Sequence, residues 1–285
     1  MLLPLAAALF FAGVADTQGQ RRLEPRPIPY SELDKTEAEQ TLNELREFTL
    51  PGVCHFQFHL RVMPRRGRES LFQGRMWAGR SEDGPVFRYE IEDQRGGEGG
   101  VLRLLVQNGP NAAVWVLDGD GETASPRRLG AEELFQPLRG TDFTPFDLQM
   151  PFLFWDDYAY EGLQRVRGRS SHAFLMYPPA EVAEALPDLG GVRVFVDAAF
   201  RVLTGAKLVD GRGNAVKGFN IIEVKKVEDD WMVKSVDVRD TASGNRTRLA
   251  IRAGAVRLDP ESHPFTPEAL GDDFPEVEPD KLRFF

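Results

Sequence analysis

The residues best suited to chemistry in this chain are its four histidines, His55, His59, His172 and His263, and its single cysteine, Cys54. His55 and His59 would share a helix face, but the alternation around them is that of a strand, where positions i and i+4 lie roughly 13 Å apart. That separation keeps the two imidazoles off a common zinc ion, and one cysteine cannot build a thiolate site. Ser170-Ser171-His172 sets hydroxyls beside an imidazole in sequence, yet neighbours on a strand point to opposite faces. There is no G-x-S-x-G elbow, no G-x-G-x-x-G ahead of a helix and no Walker loop. Asp118-Gly119-Asp120-Gly121-Glu122 opens like a calcium loop, but its sixth and twelfth places hold Thr123 and Leu129 instead of Gly and Glu. The pairs Asp156-Asp157 and Asp272-Asp273 read as exposed charges, and Cys54 sits on an apolar face, where a thiol is inert. These residues predict no metal, no cofactor and no catalytic set: a binding protein, not an enzyme.

What remains is collective. Phe56, Phe58, Phe72, Phe87, Tyr89, Leu102, Leu104 and Trp115 are expected on one side of a sheet, as the lining of an apolar cavity. A single strongly curved sheet plugged only by short helices leaves such a cavity more readily than two packed sheets do. For any one of these side chains, plain core is the simpler expectation.

The elements that would position this face alternate with period two. Val53 to Val62 puts Cys54, Phe56, Phe58, Leu60 and Val62 on one side and His55, Gln57, His59 and Arg61 on the other. Strands follow over Leu71 to Ala78, Phe87 to Ile91, Leu102 to Val106 and Val114 to Leu117, with Gly96 to Gly100 as a loop and 118–121 as a turn. The middle is less regular: short helices are predicted over Ala131 to Leu138, Phe146 to Trp155 and Glu181 to Leu186, and a strand over Val166 to Tyr177. A meander then runs through 192–196, 202–209, 216–227, 231–238 and 246–253, separated by turns such as Asp210-Gly211-Arg212-Gly213-Asn214. About ten strands joined by hairpins predict antiparallel neighbours. Ahead of them, Ser31-Glu32-Leu33-Asp34 has capping-box spacing and opens a helix to about Phe48, with Ala38, Leu42, Leu45 and Thr49 as a narrow apolar stripe. Pro51-Gly52 ends it.

With 285 residues, 42% hydrophobic and 28% charged, the chain has globular composition and room for one large core or two small ones. A net charge of −9 argues against nucleic acid, and the clusters Arg65-Arg66-Gly67-Arg68 and Arg165-Val166-Arg167-Gly168-Arg169 read as polar loops or strand faces. Met1 to Ala15 is apolar and uncharged and ends in small residues, as in a secretory signal peptide, and is too short to span a bilayer. Residues 16–30 read as a Pro-rich linker, 31–270 as one β domain and 271–285 as an acidic tail. Asn245-Arg246-Thr247 reads as a turn despite its glycosylation pattern. No later apolar run reaches membrane-spanning length, and one cysteine forms no intrachain disulfide.

Four stretches together resemble the outer-membrane lipoprotein-sorting protein family, relatives of the LolA periplasmic carrier. Gly140-Thr141-Asp142-Phe143-Thr144-Pro145-Phe146-Asp147-Leu148 is similar to that family's G-[ST]-D-F-[ST]-x-x-D-L. Val194-Phe195-Val196-Asp197, with Leu203, Lys207 and Asp210-Gly211-Arg212-Gly213, is similar to its strand meander. Trp231 with Asp240-Thr241 and Thr247, and Pro264-Phe265-Thr266-Pro267-Glu268-Ala269-Leu270, match its later strands and its close. The resemblance spans about residues 30 to 270. It implies a mainly β (α+β) fold, a half-open antiparallel β barrel wrapped over a lid of short helices, and a monomeric periplasmic carrier of lipid or lipoprotein acyl chains. Envelope membrane proteins would be further partners. The competing reading is a periplasmic regulatory or sensor module of the same shape that binds a protein partner. A hydrolase is disfavoured because no Ser/His/acid signature is present.

Overall fold

The computed structural model describes residues 11–12, 30–47, 52–93, 100–109, 111–118, 125–227, 230–259, 265–273 and 276–285. Most of the expected signal peptide and linker, Thr49, His263, and residues 96–99, 119–121 and 228–229 of the expected loop and turns lie outside the described residues.

One antiparallel sheet carries the fold. Its strands are β1 (Phe11–Ala12), β2 (Val53–Met63), β3 (Ser70–Ser81), β4 (Gly84–Asp93), β5 (Leu102–Gln107), β6 (Ala113–Asp118) and β7 (Arg127–Arg128), then β8 (Tyr158–Val166), β9 (Arg169–Met176), β10 (Leu189–Asp197), β11 (Leu203–Asp210), β12 (Ala215–Val227), β13 (Asp230–Asp240), β14 (Arg246–Leu258) and β15 (Arg283–Phe284). The spatial order is β7-β6-β5-β4-β3-β2-β14-β13-β12-β11-β10-β9-β8, with β1 on β13 and β15 on β14. Two meanders, β2 to β7 and β8 to β14, are therefore joined along a single long-range pair, β2 with β14. Because the outer edges β7 and β8 are consecutive in the chain, the intervening residues 129–157 must cross from one edge of the sheet to the other. That crossing segment supplies the helical plug.

The curved sheet with a few short helices is the expected architecture, and most of its strands fall where alternation places them. β8 was not expected. Gly162 at φ +81° and a register shift between Tyr160 and Leu163 break its period, and as an edge strand its side chains are nearly all half-buried. The first helix, α1 (Lys35–Arg46), is capped by Asp34 rather than Ser31. The Asp34 carboxylate accepts from the Glu37 N–H at 2.9 Å, and Glu37 reciprocates on the Asp34 N–H at 3.0 Å. The acid one turn before the apolar stripe is the one that reaches the free N–H groups. Ala38, Leu42 and Leu45 are buried as expected, joined by Thr41.

In the middle, the expected helix over 131–138 resolves into two 3-10 turns, Glu132–Phe135 and Leu138–Gly140. The one over 146–155 divides into α2 (Pro145–Gln149) and a 3-10 turn, Pro151–Phe154, because Met150 stands at φ +48° and Pro151 cannot continue the hydrogen bonding. The expected third helix is α3 (Ala180–Ala185). The C-terminal segment folds back on the sheet: β15 pairs with Ala253 and Gly254, and the Phe285 N–H donates to the Arg252 carbonyl at 2.9 Å. Among the described residues, no helix is long and apolar enough to cross a membrane.

Candidate functional site

The inner face of the first meander is a set of cross-strand rows. Cys54, Ala78, Phe87, Val106 and Val114 form one; Phe56, Met76, Tyr89, Leu104 and Val116 the next; Phe58, Gly74, Ile91 and Leu102 a third. Every side chain in these rows is buried in one continuous apolar cluster, and so is Phe72 opposite Leu60. Gly74 makes room for an aromatic ring: a Cβ there would lie 2.3 Å from the Phe58 ring. The structure thus brings together Phe56, Phe58, Phe72, Phe87, Tyr89, Leu102 and Leu104. Trp115 is placed elsewhere. It pairs with Leu105 and faces the other side of the sheet, packed against a second cluster of Val86, Leu105, Leu117 and Leu270. β6 is apolar on both faces because both faces are covered, so its own sequence does not say which side is inner.

The plug lies against the inner face. Phe143, Phe146, Phe152, Leu153 and Trp155 are buried in the same cluster as the sheet aromatics. Phe146 is the centre of an aromatic group, with ring centroids 4.5 Å from Phe135, 5.7 Å from Phe152 and 6.2 Å from Trp155. Phe143 and Phe146 belong to the family-like motif, and 146–155 was expected as a short helix. None of these five buried residues was expected as part of the apolar site, although five aromatics within 143–155, broken by Pro145 and Pro151, mark a segment too short and too apolar to be a surface helix.

Polar contacts hold the plug at its ends. Arg46 of α1 donates to the Leu153 carbonyl at 2.6 Å and to the Trp155 carbonyl at 3.0 Å, and burial lowers its pKa. Thr144 and Asp147 form a capping box on α2, and the Asp147 carboxylate is ion-paired with Lys217 of β12. Asp142 takes a 2.7 Å hydrogen bond from the Thr247 hydroxyl of β14, which accepts from the Asp142 N–H at 2.9 Å. Burial pushes the Asp142 carboxyl up, against that hydrogen bond and Lys217. The Gly140–Leu148 motif is thus a set of latches to the sheet. Asp197 and Asp210 of the other motifs build turns, accepting from the N–H groups of Ala199 and Phe200 and of Arg212 and Asn214.

His172 is linked through Tyr160 to Leu33, just ahead of α1. Tyr160 accepts from the Leu33 N–H at 3.2 Å just before α1, and its hydroxyl lies 2.9 Å from His172 Nδ1. Burial lowers the His172 pKa and favours the neutral imidazole. Ser171 instead reaches Thr204 at 3.4 Å, so the adjacent hydroxyl and imidazole diverge as strand geometry requires.

The outer face of the first meander is covered in part. Ala255, His55, Trp77, Arg88, Leu105 and Trp115 form a row across β14, β2, β3, β4, β5 and β6. Residues 265–273 lie over part of it. Arg88, only 1% exposed, donates to the carbonyls of Ala269 at 2.8 Å and Asp272 at 2.5 Å and to Glu90 at 3.0 Å. The Phe265 ring fills the space above Gly79, where a Cβ would lie at 2.5 Å. His55 packs tilted against Trp77 with ring centroids 4.6 Å apart, and burial with Arg75 nearby lowers its pKa to about 4. Two surface clefts, of about 530 and 440 Å3, mix polar and apolar lining; Glu132, Glu133, Glu181 and Glu184 line the first with Ala131 and Ala185, and Phe58, Val101, His59, Gln73, Arg75 and Arg252 are among the residues that line the second. Among the described residues, no three His, Cys, Asp or Glu side chains group together to hold a metal.

A family model described as “Uncharacterized protein”-like matches residues 102–272, more than half of the chain. The chain belongs to that family. Its fold is also that of three solved structures. A DUF1329 family protein from Desulfovibrio piger shares 15% identity at a TM-score of 0.67, over 81% of this chain and 96% of that one. A putative outer membrane lipoprotein-sorting protein domain from Vibrio parahaemolyticus shares 15% at 0.69, over 82% and 97%. A LolA superfamily protein from Nitrosomonas europaea shares 15% at 0.56, over 80% and 94%. A search of curated proteins returns no match to the sequence.

Proposed function

We propose that this family member is an exported periplasmic binding protein that carries the acyl chain of a lipid or lipoprotein between the inner face of β2 to β6 and its plug. The observation that carries this reading is the lid. The aromatic face is closed by one crossing segment of short helical turns, held by a few side-chain latches rather than by a second sheet. Such a lid can leave without unfolding the sheet, and it would expose a continuous apolar bed. The likeness of fold to a lipoprotein-sorting domain supports the same class of cargo. The apolar start of the chain supports export.

The test is a series of saturated acyl probes of increasing length. Each buried methylene contributes about 0.8 kcal/mol, so affinity should rise roughly fourfold per carbon until the bed is full. Flat affinity across the series would sink the reading. Native mass spectrometry of protein taken from its own envelope should show a retained species of lipid mass.

A further inference from the structure

Tyr89 stands in the middle of the inner face with its hydroxyl unpartnered. The residue is 1% exposed, and its hydroxyl has no hydrogen-bond partner. Its neighbours in register are Met76 and Leu104, Phe87 and Ile91 flank it on the same face of β4, and the Phe58 ring meets it edge-on at 6.5 Å. Among these side chains the Met76 thioether is the one acceptor, a weak one to which no bond is made, and burial alone pushes the phenol pKa upward.

A buried tyrosine hydroxyl ordinarily finds a partner. Left unpaired, it loses its bonds to water and gains nothing in exchange. Phenylalanine would fill the same space without that cost. A trapped water does not resolve the matter, because a buried water needs two to four polar partners and this one would find only the phenol. The missing partner must then arrive with whatever occupies the bed. It must be an acceptor, it must be attached to something apolar, and it must be uncharged, since an ion buried among Phe58, Met76 and Leu104 would lack compensation. A carbonyl oxygen at the head of a hydrocarbon chain meets all three conditions.

We propose that the Tyr89 hydroxyl is the polar anchor of the interior site, donating a hydrogen bond to the ester or amide carbonyl of a bound acyl chain. This rests on the acyl-binding reading above and adds to it a fixed depth and head-group chemistry for the ligand. Ester and amide carbonyls share the recognised feature, so both belong in the test.

The experiment is displacement of N-phenyl-1-naphthylamine from the full chain by methyl palmitate, N-methylpalmitamide and an n-alkane of matched length, in wild type and Tyr89→Phe. Wild type should prefer each carbonyl ligand to the alkane by roughly three- to tenfold. Stronger retention of the amide would point to an N-acylated lipoprotein as the source, stronger retention of the ester to a lipid. In Tyr89→Phe the preference should vanish, the alkane affinity should hold, and the ligand-free melting temperature should stay level or rise. A preference that survives in Tyr89→Phe, or a ligand-free variant that melts lower, would overturn the anchor. Wild type that binds all three with equal affinity would remove the anchor and leave acyl binding standing. Failure of all three to displace the dye would remove both.

Discussion

His55 shows how a residue that looks available for chemistry can be a structural one. Its imidazole packs tilted against Trp77 and is buried with Nδ1 unpartnered, and its pKa falls from 6.5 to about 4. Below pH 6.5 the unfolded chain takes up a proton that the folded chain refuses. Stability from this group is therefore complete above pH 6.5 and is lost as the pH falls toward 4, by roughly 3 kcal/mol. Urea midpoints of wild type and His55→Phe should converge in their pH dependence above 6.5 and separate below it, with the variant losing less. Parallel curves down to pH 4.5 would refute the assignment. A second residue-scale expectation concerns Gly74. Its Cβ would press on the Phe58 ring and lie 2.7 Å from the Glu90 carbonyl, so Gly74→Ala should cost about 1–3 kcal/mol in denaturant unfolding. Seven of the eight expected face residues were legible because strand alternation fixes the side of the sheet. Trp115 was not, since β6 is apolar on both sides and only its register with Leu105 reveals where it faces. The burial of His55 was equally hidden, because it packs against Trp77, a cross-strand neighbour that only the register of β2 with β3 identifies.

At the scale of elements, the plug is where sequence reading stops short. Alternation reports strands well, and a capping box reports a helix start. The crossing segment 129–157 has neither a sustained period nor a length that fits one helix, and Met150 and Pro151 cut it in two. Its position is set by tertiary latches, and Arg46 is the most direct of them. Arg46→Ala removes two charge-assisted hydrogen bonds to the 3-10 turn over Pro151–Phe154. The expected cost is about 1–3 kcal/mol, concentrated in the plug. Amide hydrogen exchange at 152–155 should quicken while exchange in β3 and β4 stays slow, and dye uptake should rise. Equal quickening throughout the sheet would show that the plug and sheet open only together. The Gly140–Leu148 motif, by contrast, was visible by type, and its Asp142, Thr144 and Asp147 prove to be the residues that tie the plug to β12 and β14.

At the scale of the whole molecule, the curved sheet and its short helices were readable from hairpin after hairpin of alternating residues. The order of the two meanders in space was not, because no local pattern says that β2 lies beside β14. That one pairing has a consequence for how the chain acquires its structure. Every other neighbouring pair on the main path is local, whereas Met63 and Arg246 meet across 183 positions. The cost of closing so long a loop falls on one event, after hairpins on either side have had time to form. The tryptophans are divided between the parts: Trp77 and Trp115 in the first meander, Trp155 in the plug, Trp231 in the second. Single-tryptophan variants should therefore refold with separate time courses, Trp77 and Trp231 each reporting its own half before Trp155 reports the joined barrel. One shared rate constant for all probes would mean that neither half holds together until the other is in place.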